Sequence, residues 1–331
     1  MHYLHHPIHN TFQINAKASE YMDYSSVEEL QSFIPQLAGK KVLHIGGGSN
    51  LLFLNDFDGV VLHSSIKGFE VVAKTDQTVD VRVGSGVVWD DFVQTAVENG
   101  WYGIENLSLI PGEVGASAVQ NIGAYGVEAK DAITEVETVD LTDGKISTIS
   151  NDECRYGYRS SIFKNDWKGR FAITHVTYRL SLTFSPVLEY GNLCAFFPDE
   201  HQMTPEKLRK CIIGIRKQKL PDPEITGNAG SFFMNPVIPE SQFNDLKSKY
   251  PQIPSYKAVN GVKVPAGWLI EQCGWKGRSL GNAAVHDKQA LVLVNKGGAT
   301  GKDVLHLSNV IREDVKNKFG ISIHPEVNVI S

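Results

Sequence analysis

Two glycine-rich stretches limit most strongly how this chain can fold. The first glycine stretch, residues 46–50, reads Gly-Gly-Gly-Ser-Asn and follows the short apolar run at residues 41–45. This pattern predicts a strand that ends in a tight turn. A turn without large side chains can point several backbone N–H groups at one anion, and a diphosphate suits that geometry. The stretch does not match the G-x-G-x-x-G dinucleotide fingerprint, so an ordinary strand-ending turn is the alternative.

The second glycine stretch, residues 109–126, places small residues where a helix or strand would carry bulk. Within it, Gln120 and Asn121 offer amide donors and acceptors that suit the edge of a heterocycle. We therefore expect backbone that closely approaches a flat or anionic ligand. The alternative is a glycine-rich connector packed on a neighbouring strand.

The remaining pattern predicts α+β architecture with antiparallel or mixed sheets, because strands and helices do not alternate regularly. Ser26 and Glu29 form the capping-box signature S-x-x-E before an amphipathic helix. A hairpin is predicted at Asp143-Gly144. Further helices are predicted from residue 89 to Gly100, from Thr204-Pro205, and over residues 302–319. Strands are predicted at residues 59–63, 69–73, 79–83 and 171–180.

Charge and composition exclude several classes of protein. The formal net charge is −5 and the pI is about 6.1, which argues against a nucleic-acid partner. No run of about 18 apolar residues occurs, so we expect no membrane insertion. The polar, His-rich start lacks an apolar signal core, which favours the cytoplasm. The scattered cysteines Cys154, Cys194, Cys211 and Cys273 are predicted to be free thiols, and no metal site is expected.

More motifs follow the glycine stretches in a fixed order. They are Tyr158-Arg159-Ser160-Ser161-Ile162-Phe163-Lys164, Lys219-Leu220-Pro221-Asp222-Pro223, Gly227-Asn228-Ala229-Gly230-Ser231-Phe232-Phe233, Ala284-Val285-His286 and Pro325-Glu326-Val327. With the two glycine stretches, this series resembles the UDP-N-acetylenolpyruvoylglucosamine reductases, also called UDP-N-acetylmuramate dehydrogenases. Ala118 departs from the resemblance, because many relatives carry proline there.

The resemblance implies a vanillyl-alcohol-oxidase (PCMH)-type FAD-binding fold in two subdomains plus a C-terminal α+β substrate domain. We expect the FAD-binding domain at residues 1–183, with subdomains at about 1–66 and 67–183. The substrate domain would span residues 184–331, its last strand packing back on the first subdomain. The resemblance also implies non-covalent FAD, NADPH as reductant and a UDP-sugar substrate bound in the same pocket as NADPH. We further expect a monomeric chain.

The predicted cofactor-binding residues all lie in or beside the two glycine stretches. They are Gly46, Gly47, Gly48, Ser49, Asn50, Leu51, Ile110, Pro111, Gly112, Gly115, Ala116, Gln120, Asn121, Gly123, Ala124, Tyr125 and Gly126.

The implied reaction reduces a vinyl ether that bears a carboxylate. Hydride adds to the terminal carbon, and negative charge develops on the carbon next to the carboxylate. Arg159 is the candidate that stabilises this charge, because its guanidinium is permanently charged and matches carboxylate geometry. Glu326 is the second candidate, either protonated or acting through water. Ser231, in a glycine turn, is the candidate acid that protonates the carbon.

Substrate-contacting positions follow from the resemblance. Lys219 is placed to meet the UDP diphosphate, and Tyr190 lies in a loop that marks one subtype of the family. The other positions are Tyr158, Asn235 and Gln289. Two alternatives stay open: another flavoenzyme of the same fold that oxidises an alcohol, and a UDP-sugar-binding protein without redox activity.

Overall fold

The computed structural model describes residues 1–189, 193, 203–258 and 260–331. The strands, numbered in chain order, are β1 (His2–Pro7), β2 (Lys17–Tyr24), β3 (Val42–Ile45), β4 (Leu51–Phe53), β5 (Phe57–Ser64), β6 (Phe69–Lys74), β7 (Thr78–Gly84), β8 (Gly123–Ala124), β9 (Val127–Glu128), β10 (Ile133–Asp140), β11 (Ile146–Ser150), β12 (Phe171–Ser181), β13 (Gly227–Ser231), β14 (Val237–Ile238), β15 (Tyr256–Ala258), β16 (Gly261–Lys263), β17 (Ser279–Leu280), β18 (Ala283–Val285), β19 (Val292–Asn295) and β20 (Asn328–Ile330). The helices are α1 (Val27–Leu37), α2 (Trp89–Glu98), α3 (Val114–Gln120), α4 (Pro205–Lys219), α5 (Glu240–Lys249), α6 (Ala266–Gln272) and α7 (Gly301–Phe319).

The chain divides into two compact units, and each unit combines separate stretches of sequence. The first unit comprises Met1–Pro7, Lys17–Gly47 and Phe57–Arg216. The second unit comprises Ile8–Ala16, Gly48–Asp56 and Lys217–Ser331. The linear domain and subdomain boundaries expected from the sequence stay a prediction.

One sheet of the first unit has the order β1-β2-β5-β3, in which β2, β5 and β3 run parallel. Helix α1 packs beside it and buries Leu30 and Leu37 in a core shared with Leu62. As predicted, Ser26 caps this helix, its Oγ accepting from the Glu29 backbone N–H at 3.1 Å. The reciprocal half of the predicted capping box is wrong, because the Glu29 carboxylate accepts from the Ser25 N–H at 2.8 Å instead.

The second sheet of the first unit is antiparallel, with the order β11-β10-β12-β7-β6. The predicted hairpin at Asp143-Gly144 joins β10 to β11 and is confirmed. Helix α2 buries Phe92 against Tyr178 of this sheet, with ring centroids 5.1 Å apart. Its end is the predicted one: Gly100 follows the helix with a φ of +73°.

The second glycine stretch contains a short helix, α3, where the sequence pattern favoured irregular backbone. The small residues allow this helix to pack closely on its neighbour. A Cβ placed on Gly115 would lie 2.8 Å from the Ser85 Cβ, and the Gly115 N–H donates to the Ser85 carbonyl at 2.9 Å. Ala118, the departure from the resemblance, is fully buried inside the helix.

The second unit contains sheets ordered β13-β19-β18-β17 and β14-β16-β15, and β20 pairs in parallel with β4. Helix α7 confirms the prediction for residues 302–319: Thr300 and Asp303 form a capping box at its start. Gly320 ends it in the left-handed conformation, with a φ of +66°. The polar glycine motif at residues 227–231 forms strand β13, which pairs with β19.

Two further predictions, on membrane insertion and on free cysteines, can be compared with the described residues. In the described ranges, we find no helix with the length and apolar character that crossing a membrane requires. Cys154 is buried, and Cys154, Cys211 and Cys273 are free thiols, while Cys194 lies outside the described residues.

Candidate active site

In the first unit, the two glycine stretches face each other. Strand β3 ends at Ile45, and the turn that follows lies against the start of α3. A Cβ on Gly46 would lie 3.2 Å from the Ala116 Cβ, and one on Gly47 would lie 3.4 Å from the Gly112 Cα. The glycines thus let the two stretches pack closely against each other. The backbone of Gly46 and Gly47 stays partly exposed, and this exposed turn is the candidate cradle for a ligand.

The turn continues into the second unit with Gly48, Ser49 and Asn50. Gly48 has a φ of +65°, and a Cβ there would lie only 2.3 Å from the His9 carbonyl oxygen. Its carbonyl accepts from the Thr11 N–H at 3.2 Å. Leu51, another predicted cofactor position, starts β4 and pairs with Asn328.

A histidine between two carboxylates lies beside this cradle in the first unit. His63, at the end of β5, approaches Asp23 Oδ1 with Nδ1 at 2.9 Å and Glu113 Oε1 with Nε2 at 3.2 Å. Burial disfavours the imidazolium, but the hydrogen bonds and negative charges of Glu113 and Asp23 outweigh it and raise the pKa of His63. None of these three side chains was predicted as a site residue.

Arg159 is held against the second glycine stretch. Its Nη2 donates to the Gly123 carbonyl at 2.6 Å and its Nη1 to the Asn121 carbonyl at 3.3 Å. A Cβ on Gly123 would lie 2.9 Å from Nη1, so a larger residue there would require the guanidinium to shift from this position. The φ of Arg159 is +53°, a strained value for a residue with a side chain, and such strain concentrates at functional sites.

Arg216, at the last residue of the first unit, is a second cation near Arg159 that sequence reasoning missed. Its Nε donates to the Leu109 carbonyl at 3.3 Å. Burial lowers the pKa of Arg216, and the charge of Arg159 acts in the same direction, opposed by Tyr125 and Asp90. Two guanidinium groups that lie close enough to interact electrostatically create a positive potential, which favours an anionic ligand. The only sequence feature that pointed to Arg216 was its place in a lysine- and arginine-rich helix end.

The other predicted first-unit residues vary in their surroundings. The Asn121 side chain is used within the protein: Nδ2 donates to the Gly157 carbonyl at 2.8 Å, and Oδ1 accepts from the Lys130 N–H at 3.0 Å. Its amide therefore supports the surrounding loops, and its predicted contact with the cofactor stays a prediction. Tyr158 is 42% exposed, and its ring lies 5.4 Å from the Arg159 guanidinium carbon. The remaining predicted positions in this stretch are Ile110, Pro111, Gln120, Ala124 and Gly126.

In the second unit, Ser231 and Glu326 come from distant parts of the sequence to neighbouring backbone positions. Ser231 ends β13 and is exposed. The carbonyl of the next residue, Phe232, accepts from the Glu326 N–H at 2.8 Å. Asn50 Nδ2 donates to the Glu326 carbonyl at 3.3 Å, so the end of the first glycine stretch also contacts the backbone of Glu326. Arg159 belongs to the other unit, so its convergence with this pair stays a prediction.

Two predicted substrate residues meet at the start of α6. Asn235 Oδ1 accepts from the Ala266 N–H at 2.9 Å, and Gln289 Oε1 would lie 3.1 Å from a Cβ on Gly267. Lys219, the last residue of α4, is exposed. Tyr190 lies outside the described residues.

These observations fit a bound flavin dinucleotide. Gly46 and Gly47 carry no side chain that would cover the partly exposed turn, and the buried Glu113 Oε2 lacks a hydrogen-bond partner among the described residues. Diphosphate, sugar hydroxyls and a flat ring match such backbone and acceptor groups.

Comparison with known proteins defines the class of the molecule. Residues 21–150 match the family model of the FAD binding domain. A VAO-type flavoprotein from Myceliophthora thermophila superposes with a TM-score of 0.50 at 13% identity, covering 92% of this chain and 70% of that one. The chain is therefore an FAD-binding flavoprotein with the vanillyl-alcohol-oxidase type of fold, and the predicted fold class is confirmed.

Comparison of the C-terminal part and of the whole chain identifies a more specific family. Residues 222–330 match the family model of the UDP-N-acetylenolpyruvoylglucosamine reductase C-terminal domain. UDP-N-acetylenolpyruvoylglucosamine reductase of Bacteroides fragilis is 55% identical over 324 residues, 97% of each chain. That of Porphyromonas gingivalis is 51% identical over 326 residues, 97% of this chain and 96% of that one. The reductase from Thermus caldophilus has the same fold, with a TM-score of 0.69 at 23% identity and coverage of 100% and 98%. The chain belongs to the UDP-N-acetylenolpyruvoylglucosamine reductase family, as its motifs predicted.

Proposed function

We propose that this chain uses NADPH to reduce UDP-N-acetyl-3-O-(1-carboxyvinyl)-glucosamine to UDP-N-acetylmuramate, a step of peptidoglycan precursor synthesis. Membership of the reductase family supports the reaction. The observation that supports the assignment of residues is the backbone hydrogen bond from the Glu326 N–H to the Phe232 carbonyl, because Phe232 directly follows Ser231 in the chain.

Cofactor binding is assigned to the two glycine stretches. Gly46 and Gly47 would hold the diphosphate through backbone N–H groups, and the second stretch would face the ring system. When bound, FAD would supply the hydride transfer from NADPH to the vinyl ether, which is chemistry that the side chains lack.

Arg159 stabilises the negative charge that develops beside the substrate carboxylate. Its guanidinium is held by two backbone carbonyls, so little reorganisation is needed when the charge forms. A preorganised donor in this role is worth about 3–4 kcal/mol. Arg216, its partly buried neighbour, adds positive charge that attracts the anionic substrate.

Ser231 delivers a proton to the carbon next to the carboxylate. A serine hydroxyl is a weak acid, so it can act only on a strongly basic carbanion. The exposed end of β13 leaves the hydroxyl accessible. Glu326 assists at the same place, either protonated or through water.

The UDP-sugar contacts are assigned to the predicted substrate positions. Lys219 provides a flexible point charge for the diphosphate. Asn235 and Gln289, which meet at α6, provide amide groups. Tyr158 and Tyr190 complete the predicted set.

We also propose that the chain acts in the cytoplasm as a monomer. NADPH and nucleotide sugars are metabolites of that compartment, and the acidic net charge of −5 suits a freely diffusing enzyme. Light scattering of the purified protein should give the 36.5 kDa mass of one chain.

Flavin spectroscopy tests the function. The purified chain should be yellow, and NADPH should bleach it under anaerobic conditions. Adding the enolpyruvyl UDP-sugar should restore the colour rapidly, with UDP-N-acetylmuramate as product. Faster return of the colour with oxygen than with the UDP-sugar would contradict the proposal in favour of an oxidase, and a colourless protein unable to take up FAD would also contradict it.

A further inference from the structure

A buried carboxylate oxygen lies unused beside the first glycine stretch. Glu113 is only 9% exposed, and its Oε2 has no hydrogen-bond partner among the described residues. This atom would lie 3.2 Å from a Cβ placed on Gly46. Since a buried acceptor without a donor is costly, a donor from outside the chain is expected at this point.

The other side of Glu113 is fixed by its neighbours. Oε1 lies 3.2 Å from His63 Nε2, and His63 Nδ1 lies 2.9 Å from Asp23 Oδ1. Asp23 Oδ1 also accepts from Ser65 Oγ at 2.7 Å. An imidazole with a carboxylate at each nitrogen donates to both when protonated. His63 therefore holds Glu113 in one orientation and leaves Oε2 facing the turn.

The position of this carboxylate is unexpected for a simple anion site. The turn is proposed to bind the diphosphate of FAD, and a second negative charge beside it would weaken that binding. A carboxylate would favour binding there if it accepted a hydrogen bond from a hydroxyl next to the phosphates. In nucleotide-binding sheets, an acidic side chain near a strand end commonly accepts from a ribose hydroxyl. Here β3 ends at the turn, and its last residue, Ile45, pairs with His63 near the end of the parallel strand β5.

A carboxylate near phosphates can also bind a metal ion that in turn binds the phosphates. Across the described ranges, no group of three or more His, Cys, Asp or Glu side chains is arranged to hold a metal ion. The histidine already uses both ring nitrogens on carboxylates.

We propose that Glu113 binds a sugar hydroxyl of FAD through Oε2, and that His63 and Asp23 position it for this contact. The hydroxyl belongs either to the ribose or to the ribityl chain, since both flank the diphosphate. The proposal rests on the proposed placement of that diphosphate at the first glycine stretch.

Titration of the flavin-free full chain with FAD, followed by flavin fluorescence, tests the contact. Glu113→Gln keeps the size of the side chain and a hydrogen bond to His63 but removes the charge. We expect its Kd for FAD to rise at least about tenfold, the effect of losing a charged hydrogen bond. An affinity equal to or tighter than that of the unmodified chain would overturn the proposal.

Glu105→Gln is the matched control. Glu105 is also buried, at 4% exposure, and its Oε1 also lacks a partner among the described residues, but Oε2 accepts from the Gly103 N–H. It makes no contact with the glycine turn that we observe, so its FAD affinity should stay within about twofold. An equal loss in both variants would assign the effect to general destabilisation and overturn the proposal.

Two fragments identify the hydroxyl. ADP carries the ribose and diphosphate, and FMN carries the ribityl chain and one phosphate. Loss of ADP affinity in Glu113→Gln would assign the ribose, loss of FMN affinity would assign the ribityl chain, and loss of neither would overturn the hydroxyl contact. If Glu113→Gln does not fold, Asp23→Asn replaces it and should weaken FAD binding several-fold, and unchanged binding would count against the proposal.

Gly47→Val separates this proposal from the placement of the cofactor. A side chain there would start 3.4 Å from the Gly112 Cα and push apart the two glycine stretches that form the cradle. If Gly47→Val leaves FAD affinity unchanged, the diphosphate does not bind at the turn and the placement fails. If Gly47→Val abolishes binding while Glu113→Gln does not weaken it, only the Glu113 contact fails.

Discussion

Replacing Gly48 with alanine tests whether the first glycine stretch needs glycine for steric reasons. The added Cβ would lie 2.3 Å from the His9 carbonyl oxygen and 2.9 Å from the Asn10 Cα. Both contacts are with backbone, which cannot rotate away as a flexible side chain would. The turn or the 9–10 segment must therefore move.

Gly39→Ala isolates the conformational part of the cost. Gly39 has a φ of +73°, close to the +65° of Gly48, but a Cβ there would meet nothing within 4 Å. The left-handed conformation costs an alanine about 1–2 kcal/mol, offset by about 0.4–1 kcal/mol from the stiffer unfolded chain. Backbone displacement at Gly48 adds about 1–3 kcal/mol. We expect losses of about 1 kcal/mol for Gly39→Ala and about 2–4 kcal/mol for Gly48→Ala.

Urea unfolding of the flavin-free variants, followed by far-ultraviolet circular dichroism, measures both losses. The Gly48 variant should also bind FAD more weakly, because its carbonyl holds the turn to the Thr11 N–H. Equal destabilisation by the two substitutions would refute the steric argument. Retained FAD affinity in Gly48→Ala would show that the turn tolerates displacement.

Two other variants test the electrostatics. In Glu137, hydrogen bonds from His175 and two further donors lower the pKa of the carboxyl from 4.5 to about 2, against the opposing effect of burial. Because the folded pKa is the lower one, this stabilisation is present above about pH 4.5 and is lost as pH falls towards about 2. Glu137→Gln should therefore lower the free energy of unfolding by about 1–2 kcal/mol at pH 7, after allowance for solvent screening. In a plot of unfolding temperature against pH, the fall at acid pH should become shallower. An unchanged fall at acid pH would contradict this expectation. Arg159→Lys cannot bridge the two carbonyls that the guanidinium joins, so kcat should fall roughly 10²–10³-fold in a steady-state assay, and an unchanged kcat would argue against charge stabilisation by Arg159.

Local signals in the sequence predicted much of the fold. Ser26 and Gly320 mark helix ends because capping depends on residues a few positions apart. The motifs around Ser231 and Glu326 were each recognisable as short stretches. Their adjacency, through Phe232, depends on pairing between segments that are distant in sequence.

The missed features depend on tertiary packing. Helix α3 was not predicted because its glycines and alanines read as a connector, and only the close contact of Gly115 with Ser85 explains them. His63 and Asp23 come together because β2 and β5 pair in parallel, which no local pattern specifies. The burial of Arg216 likewise depends on what packs over a helix end.

Ser231 is proposed to protonate the substrate, while the cofactor would carry the hydride. Stopped-flow measurement of both half-reactions in Ser231→Ala separates these two roles. Flavin reduction by NADPH should stay close to that of the unmodified chain, while reoxidation by the enolpyruvyl UDP-sugar should slow by roughly 10²–10⁴-fold. If both half-reactions slow by the same factor, Ser231 only supports the structure and the assignment is wrong.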